Sequence, residues 1–386
     1  MHRQKKFFFI FLSLLSLLVT SSIPAQKKYN LRWSVAANLP VNQKLGKQPG
    51  VAGPFAGFIN GEMIIAGGSN FPDSMPWQGG KKVYWNDIYI MHINKKGKYS
   101  WVNNGEYKLK EKVAYGASVQ MKVGIVCIGG ENENGISKKV FLLHGNDMTK
   151  KIVTTDLPEL PLPLTNLSAV GIGSDIYVAG GESGTAVSNH LFRLNIHQPA
   201  KGWIELASLP IEVSHAVLVE GDKDLVSYIY LIGGRKKNAN GPSDLYSSIF
   251  EYDIKNDSWT KKKDMPYAAS AGMGIGGITN EILFIGGDKG ETFHKVETLQ
   301  TEIATEKDEA KKQELIKQKN QLQINHPGFN KDVLAYDIYK DEWTKVGQIP
   351  FDSPVTTIAV KGDHKYYIPC GEIKAGIRTS QILVLK

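Results

Sequence analysis

The 386-residue chain predicts an all-β fold, a six-bladed β-propeller closed into a ring, on three observations. A short apolar strand ending in two glycines recurs along the chain. A further strand, a tryptophan and a hydrophobic-Pro corner follow most copies. The two ends of the chain carry complementary parts of one more unit, so the N-terminal strand is expected to complete the C-terminal blade and leave no open sheet edge.

The repeated strand reads Met-Ile-Ile-Ala-Gly-Gly at 63–68 and returns at 125–130, 176–181, 229–234 and 282–287. Its first glycines, Gly67, Gly129, Gly180, Gly233 and Gly286, are spaced by 62, 51, 53 and 53 residues. A degenerate sixth copy ends at Cys370-Gly371, with Cys370 lying 84 residues past Gly286. A period of about 50 residues with a strand running into Gly-Gly is the kelch kind of repeat, in which no unit buries its faces alone. Absence of polar alternation marks a strand buried on both faces, and the glycines allow a sharp turn where chains crowd toward the axis.

Trp101, Trp203, Trp259 and Trp343 hold equivalent places, and the corners are Leu157-Pro158, Leu209-Pro210, Met265-Pro266 and Ile349-Pro350. These tryptophans are expected to pack between blades rather than to offer a sugar platform. Trp33 and the Leu39-Pro40 corner stand orphaned at the start, while the last strand, 381–386, has no tryptophan strand after it. That asymmetry is what predicts closure.

Residues 1–25 combine Arg3, Lys5 and Lys6 with an apolar run from Phe7 to Val19 and small residues near Ala25. This is the pattern of a secretory signal, cleaved after Ala25, and the run is short for a membrane span. The expected mature unit is a propeller over 26–386, exported to the periplasm, with no membrane association. The formal charge of +8 falls to +5 without those three basic residues, an excess too modest and dispersed to imply nucleic-acid binding. Cys127 and Cys370 lie in strands of blades that are not neighbours, so two buried free thiols are expected.

Two segments depart from the repeat. The connection 68–85 is long for one blade and carries Phe71, Trp77, Tyr84 and Trp85, the make-up of a wall or lid and also of a self-packed loop. From Glu291 to about Asn325 the composition turns to Lys, Glu and Gln, with apolar residues at helical spacing. This is read as a helical insertion in blade five, either a solvated hairpin or a cover over one mouth of the ring. His294 and His326 flank it and are read as structural.

A propeller sets equivalent residues in a circle, and the residues following the glycine pairs are Ser69, Glu131, Glu182, Arg235, Asp288 and Glu372. Five of these six are charged, as expected of a concave site with perturbed ionisation. Locally the richest stretch is 370–379, where Glu372 and Arg378 flank a tight loop. A carboxylate beside a guanidinium stays ionised and suits a base, and an arginine also grips a carboxylate ligand bidentately. A simple loop salt bridge is the other reading.

The loop Gly-Glu-Ile-Lys-Ala-Gly-Ile-Arg-Thr at 371–379, with Gly-Val-Ala-Gly-Pro-Phe-Ala-Gly at 50–57, Ala114-Tyr115-Gly116 and Ile128-Gly129-Gly130-Glu131, resembles the exported kelch mutarotases acting on sialic acid, the N-acetylneuraminate epimerases. The order of blades resembles a cyclically permuted branch of that family, and a closed ring tolerates such permutation. The resemblance implies interconversion of the α and β anomers of N-acetylneuraminate without a cofactor or metal. It implies Glu372 as proton acceptor with Arg378 as its partner, and Glu131 and Tyr115 fall in matching motifs and are read as substrate-binding; Arg235, from its place in the ring of residues after the glycine pairs, is read as a further substrate-binding residue. The competing class is a non-catalytic kelch module binding a carbohydrate or a protein. A copper radical oxidase is disfavoured by scattered histidines, and a sialidase by the lack of an arginine repeated at equivalent blade places.

Overall fold

The glycine-ended strand is the second strand of each of six antiparallel sheets, flanked on the axial side by an innermost strand and outward by two more. The computed structural model describes residues 29–102, 106–145, 151–184, 186–278 and 280–386; the expected leader at 1–25 lies outside them. The glycine-ended strands are Glu62–Ala66, Gly124–Ile128, Asp175–Ala179, Val226–Ile232, Glu281–Ile285 and Lys365–Pro369. The innermost partners are Phe55–Ile59, Ala117–Met121, Ser168–Ile172, Val217–Lys223, Met273–Ile278 and Val360–Gly362.

The sixth sheet takes its outermost strand from the N-terminus. Trp33–Asn38 pairs antiparallel with Gln381–Leu385, from Trp33 against Leu385 to Asn38 against Gln381, with a register shift between Val35 and Ala37. Arg32 and Lys386 extend the pairing with reciprocal backbone bonds of 3.1 and 2.9 Å.

Burial explains why these strands are apolar on both faces. The buried side chains divide into six clusters, one per blade junction. One joins Met63 and Ile65 of the first blade to Tyr367 and Ile382 of the sixth, and the next joins Ile64 and Ile88 to Ile125 and Cys127 of the second. The remaining four follow round the ring in the same way. Both thiols are buried and free, Cys127 inside its strand and Cys370 at the turn.

The glycine pair is required by close approach as well as by turning. A Cβ on Gly180 would stand 2.2 Å from the Val213 carbonyl oxygen of the next blade, and the backbone there has φ of 62°. In the sixth copy Cys370 occupies the equivalent place and adopts the left-handed φ of 58° itself.

The tryptophans differ from the core residues that the sequence predicts. Trp101, Trp203, Trp259 and Trp343 are half-buried, and each indole donates across a blade junction, to the carbonyls of Asn38, Pro158, Ala207 and Lys263 at 2.9–3.1 Å. Their polar edges tie the outer rim while their apolar faces pack, an arrangement indole favours when one end stays near water.

The insertion in blade five is a helical hairpin, α1 (Glu291–Thr305) and α2 (Glu309–Ile324). Asp308 caps α2 by accepting from the Ala310 and Lys311 amides at 2.9 and 3.1 Å. Neither helix has a buried residue, so the hairpin is held by contacts at its edges. Glu297 accepts both the amide and the hydroxyl of Ser243 from blade four, at 2.8 and 2.7 Å. On the other side Asn320 donates to the Trp77 carbonyl at 3.3 Å, in the long connection of blade one.

Candidate active site

Each residue following a glycine pair is fixed by a two-bond bridge to the residue just before an innermost strand. The pairs are Ala52 with Ser69, Ala114 with Glu131, Thr165 with Glu182, Ser214 with Arg235, Ser270 with Asp288 and Val355 with Glu372. The next residues inward are Gly53, Tyr115, Asn166, His215, Ala271 and Thr356, all left-handed with φ between 51° and 63°. Their backbones form a girdle about the axis: Gly53 donates to Thr356, Tyr115 to Gly53, Asn166 to Tyr115, His215 to Asn166 and Ala271 to His215, at 2.7–2.9 Å. Only one of these six is glycine, so the conformation is imposed by closure of the ring rather than by local preference.

Above the girdle opens a cleft of about 480 Å³. Five of the six predicted ring residues line it: Glu131, Glu182, Arg235, Asp288 and Glu372. Ser69 does not; it is fully buried, and its hydroxyl donates to the Tyr115 hydroxyl at 2.8 Å. Thr292, Phe293, Val296 and Gln300 of α1, with Gln323 of α2 and His326 beyond it, form the roof. The hairpin thus covers the mouth.

Glu372 and Arg378 face each other directly on a two-stranded ribbon, Glu372–Lys374 against Ile377–Arg378, instead of joining successive strands of the sheet as the sequence suggests. The Glu372 carboxylate accepts the Gly376 amide at 2.8 Å on Oε1, and the same oxygen lies 3.4 Å from Arg378 Nη1. Arg378 is 4% exposed and stacks on Phe71 at 4.9 Å; its Nη2 donates to the Tyr115 hydroxyl at 3.3 Å. Its Nε and Nη1 have no hydrogen-bond partner. Burial opposes its charge, yet Glu372 and Tyr115 outweigh that and hold the guanidinium's pKa above its usual value.

The two other cations at the mouth are also matched. Lys82 meets Glu131 at 3.1 Å, and the Tyr84 hydroxyl donates to the same carboxylate at 2.7 Å. Burial and that carboxylate push Tyr84 up to about 12. Lys82 also sits 4.8 Å over the Tyr115 ring. Arg235 lies 3.6 Å from Glu182 and 4.6 Å over the Phe293 ring of α1, and its Nε is buried without a partner. Beside it His215 is largely buried, and desolvation together with the Arg235 charge drives its pKa well below the usual value. It is therefore a neutral ring.

Asp288 is the exception among the four carboxylates and their neighbours. Among the described residues it has no ion-pair partner; its Oδ1 accepts only the Gly290 amide, at 2.8 Å. Burial raises its pKa above the ordinary aspartate value, although Gly290, His326 and Arg235 pull the other way. His326 has its Nδ1 occupied by the Gly328 amide at 3.0 Å, which keeps its proton on Nε2, and burial holds its pKa down. Among the described residues no three His, Cys, Asp or Glu side chains gather as a metal site.

The structure therefore brings Glu372, Arg378 and Tyr115 into one cluster and sets Glu131 and Arg235 on separate walls of the same cleft. Sequence reasoning missed the inner girdle, with His215 and Asn166, and the roof residues Phe293 and His326. The girdle had a signal, since in five of the six repeats its member stands two residues before the start of the innermost strand. His326 had none, because its approach to Asp288 depends on how the hairpin docks.

The N-acetylneuraminate epimerase family profile matches residues 18–152 and 157–386. An N-acetylneuraminate epimerase from Brucella melitensis is 27% identical over 236 residues, which are 59% of this chain and 58% of that protein. One from Salmonella typhimurium is 26% identical over 59% of this chain and 58% of its own length, and one from Haemophilus influenzae 25% identical over 58% and 57%. The matched stretch is thus under two thirds of each relative. A solved structure described as "Structure of YjhT" superposes with a TM-score of 0.60, covering 91% of this chain and 97% of that one at 15% identity, which shows a shared fold. With the profile spanning nearly all of the described propeller, the chain belongs to the N-acetylneuraminate epimerase family.

Proposed function

We propose that the protein is a mutarotase that interconverts the α and β anomers of N-acetylneuraminate by general acid–base catalysis. The observation that carries this reading is the Glu372–Arg378 pair, held 3.4 Å apart at the mouth of a roofed polar cleft, with the guanidinium Nε and Nη1 making no hydrogen bond. A cleft of about 480 Å³ falls within the usual range for small-molecule sites, about 300–1,000 Å³. Relatives that carry the epimerase name support the choice of sugar.

The reaction begins with removal of the proton from the anomeric hydroxyl. As the C2–ring-oxygen bond breaks, a keto acid is released, turns about its C2–C3 bond and closes on the other face. Glu372 is the base. Its Oε1 is engaged by Gly376 and Arg378, and among the described residues Oε2 has no hydrogen-bond partner and is free to take the proton. Arg378 offers its unpartnered N–H groups to the sugar carboxylate, anchored by Tyr115 and Phe71. Arg235 and Glu131 bind more distant polar groups.

The blade order is proposed to be a cyclic permutation of that in the relatives. Collinear alignments that stop near 58% of each relative, against a structural match over 91% of this chain, support it. The leader pattern at 1–25 supports work outside the cytoplasm.

The test is proton NMR of freshly prepared α-N-acetylneuraminate, following the C3 protons with catalytic amounts of protein. Equilibration should accelerate, and Glu372→Gln should lower the acceleration by about 10²–10⁴. If sialate raises thermal stability without faster equilibration, the propeller is a binder and the mutarotase reading falls.

A further inference from the structure

We propose that Asp288 is the acid of the reaction, delivering a proton to the ring oxygen of the sugar as Glu372 withdraws one from the anomeric hydroxyl. This rests on the mutarotase reading and adds to it a second catalytic carboxylate.

The argument starts from how charge is distributed round the mouth. Three cations and four carboxylates line the cleft, and three pairs form: Lys82 with Glu131, Arg235 with Glu182 and Arg378 with Glu372. Asp288 is left over. It belongs to blade five, next to the blade that bears Glu372, and its backbone is fixed by the bridge to Ser270. The hairpin roofs it, with α1 beginning three residues on and His326 coming down from the end of α2.

A carboxylate buried without a cation favours its neutral form, because desolvation penalises only the charged one. Burial raises the pKa of Asp288, opposed by the Gly290 amide and, from farther off, by His326 and Arg235; Glu372 adds to the rise. Lys289, adjacent in sequence, turns away to Asp332 at 3.7 Å and stacks on Tyr267. His326, which stays neutral with its proton on Nε2, supplies a dipole rather than a balancing charge. Asp288 and Glu372 share one cleft in unlike surroundings, the first without a cation and the second 3.4 Å from the Arg378 guanidinium, the arrangement expected of a paired acid and base.

The proton count closes. On opening, Glu372 gains the hydroxyl proton, the C2–O bond to the ring oxygen breaks as the C2 carbonyl forms, and Asp288 gives its proton to that oxygen. On closing, Asp288 retrieves the proton as the oxygen attacks the other face of C2, and Glu372 returns its own to the new anomeric oxygen. Both residues end as they began.

The experiment compares wild type, Asp288→Asn and Glu372→Gln by C3-proton NMR from pH 5 to 9, with thermal unfolding of each in the presence and absence of N-acetylneuraminate. For wild type, the rate is expected to fall as pH rises past the Asp288 pKa. Asp288→Asn should lose about 10²-fold in kcat, lose that alkaline decline, and retain ligand-induced stabilisation. A group with a raised folded pKa destabilises the fold as pH climbs through and above it, so Asp288→Asn should also unfold at a higher temperature near neutral pH. A residue with only a structural role gives neither the lost pH limb nor higher stability with lower rate. If wild type is active and Glu372→Gln is not, while Asp288→Asn keeps rate and pH profile, the acid assignment is overturned and the mutarotase reading stands. If wild type itself does not accelerate equilibration, both fall.

Discussion

Removing the Tyr115 hydroxyl separates stability from activity in a way the structure makes quantitative. In Tyr115→Phe the ring stays, with Lys82 still over its face, but two hydrogen bonds vanish: that from Ser69 at 2.8 Å and that from Arg378 at 3.3 Å. Ser69 is fully buried, so its hydroxyl becomes an unsatisfied donor at a cost of about 1–3 kcal/mol. The Arg378 bond is long, and its loss adds about 1.5 kcal/mol, the lower end for a charged donor. Tyr115→Phe is therefore expected to lose about 2.5–4.5 kcal/mol in denaturant unfolding. Adding Ser69→Ala removes the orphan and should recover about 1–3 kcal/mol, because deleting both partners of a buried bond is nearly neutral. Activity should not recover. Loosening Arg378 by about 1.5 kcal/mol corresponds to about a tenfold drop in kcat/KM in the single and the double variant alike. A double variant no more stable than the single would refute the orphan-donor reasoning, and unchanged kcat/KM in Tyr115→Phe would refute the anchoring of Arg378.

Three further outcomes follow from the geometry. Trp259→Phe keeps the packing but forfeits the 3.1 Å bond to the Ala207 carbonyl, and should cost about 1 kcal/mol by denaturant unfolding with kcat/KM unchanged. Glu297→Ala releases the hairpin from Ser243 and should raise KM severalfold while the unfolding midpoint of the propeller barely moves. Both thiols should resist a thiol reagent in the native protein and react only on unfolding, since burial drives Cys127 well above the usual thiol pKa and Cys370 up to about 12.

The ring was legible because its demands are local and repeated. Six glycine-ended strands must each meet the same packing on two faces, so the pattern is written six times, and the misfit at Cys370 is covered by the other five. Closure was legible for the complementary reason, since Trp33 and Gln381–Leu385 each lack what the other has. Glu372 and Arg378 were visible because six residues of chain hold them together. What stayed hidden depends on distance along the chain. Whether Asp288 is paired is decided by Lys289 turning to Asp332 and by the hairpin docking on Ser243 and Trp77, none of which is a feature of Asp288's own neighbourhood in sequence. The left-handed girdle was hidden because Tyr115, Ala271 and Thr356 are not residues that favour that conformation, and Asn166 and His215, which tolerate it, are too few to mark a repeat.

The strand Trp33–Asn38 is among the first parts of the propeller to be made and the last to find its partner, since Gln381–Leu385 is made at the other end. A nascent chain can stack five sheets, but it holds an unsatisfied edge until synthesis has passed Leu385. A chain cut short by a handful of residues would therefore keep the Glu372 loop yet expose two raw sheet edges, the kind of surface open to proteolysis and aggregation.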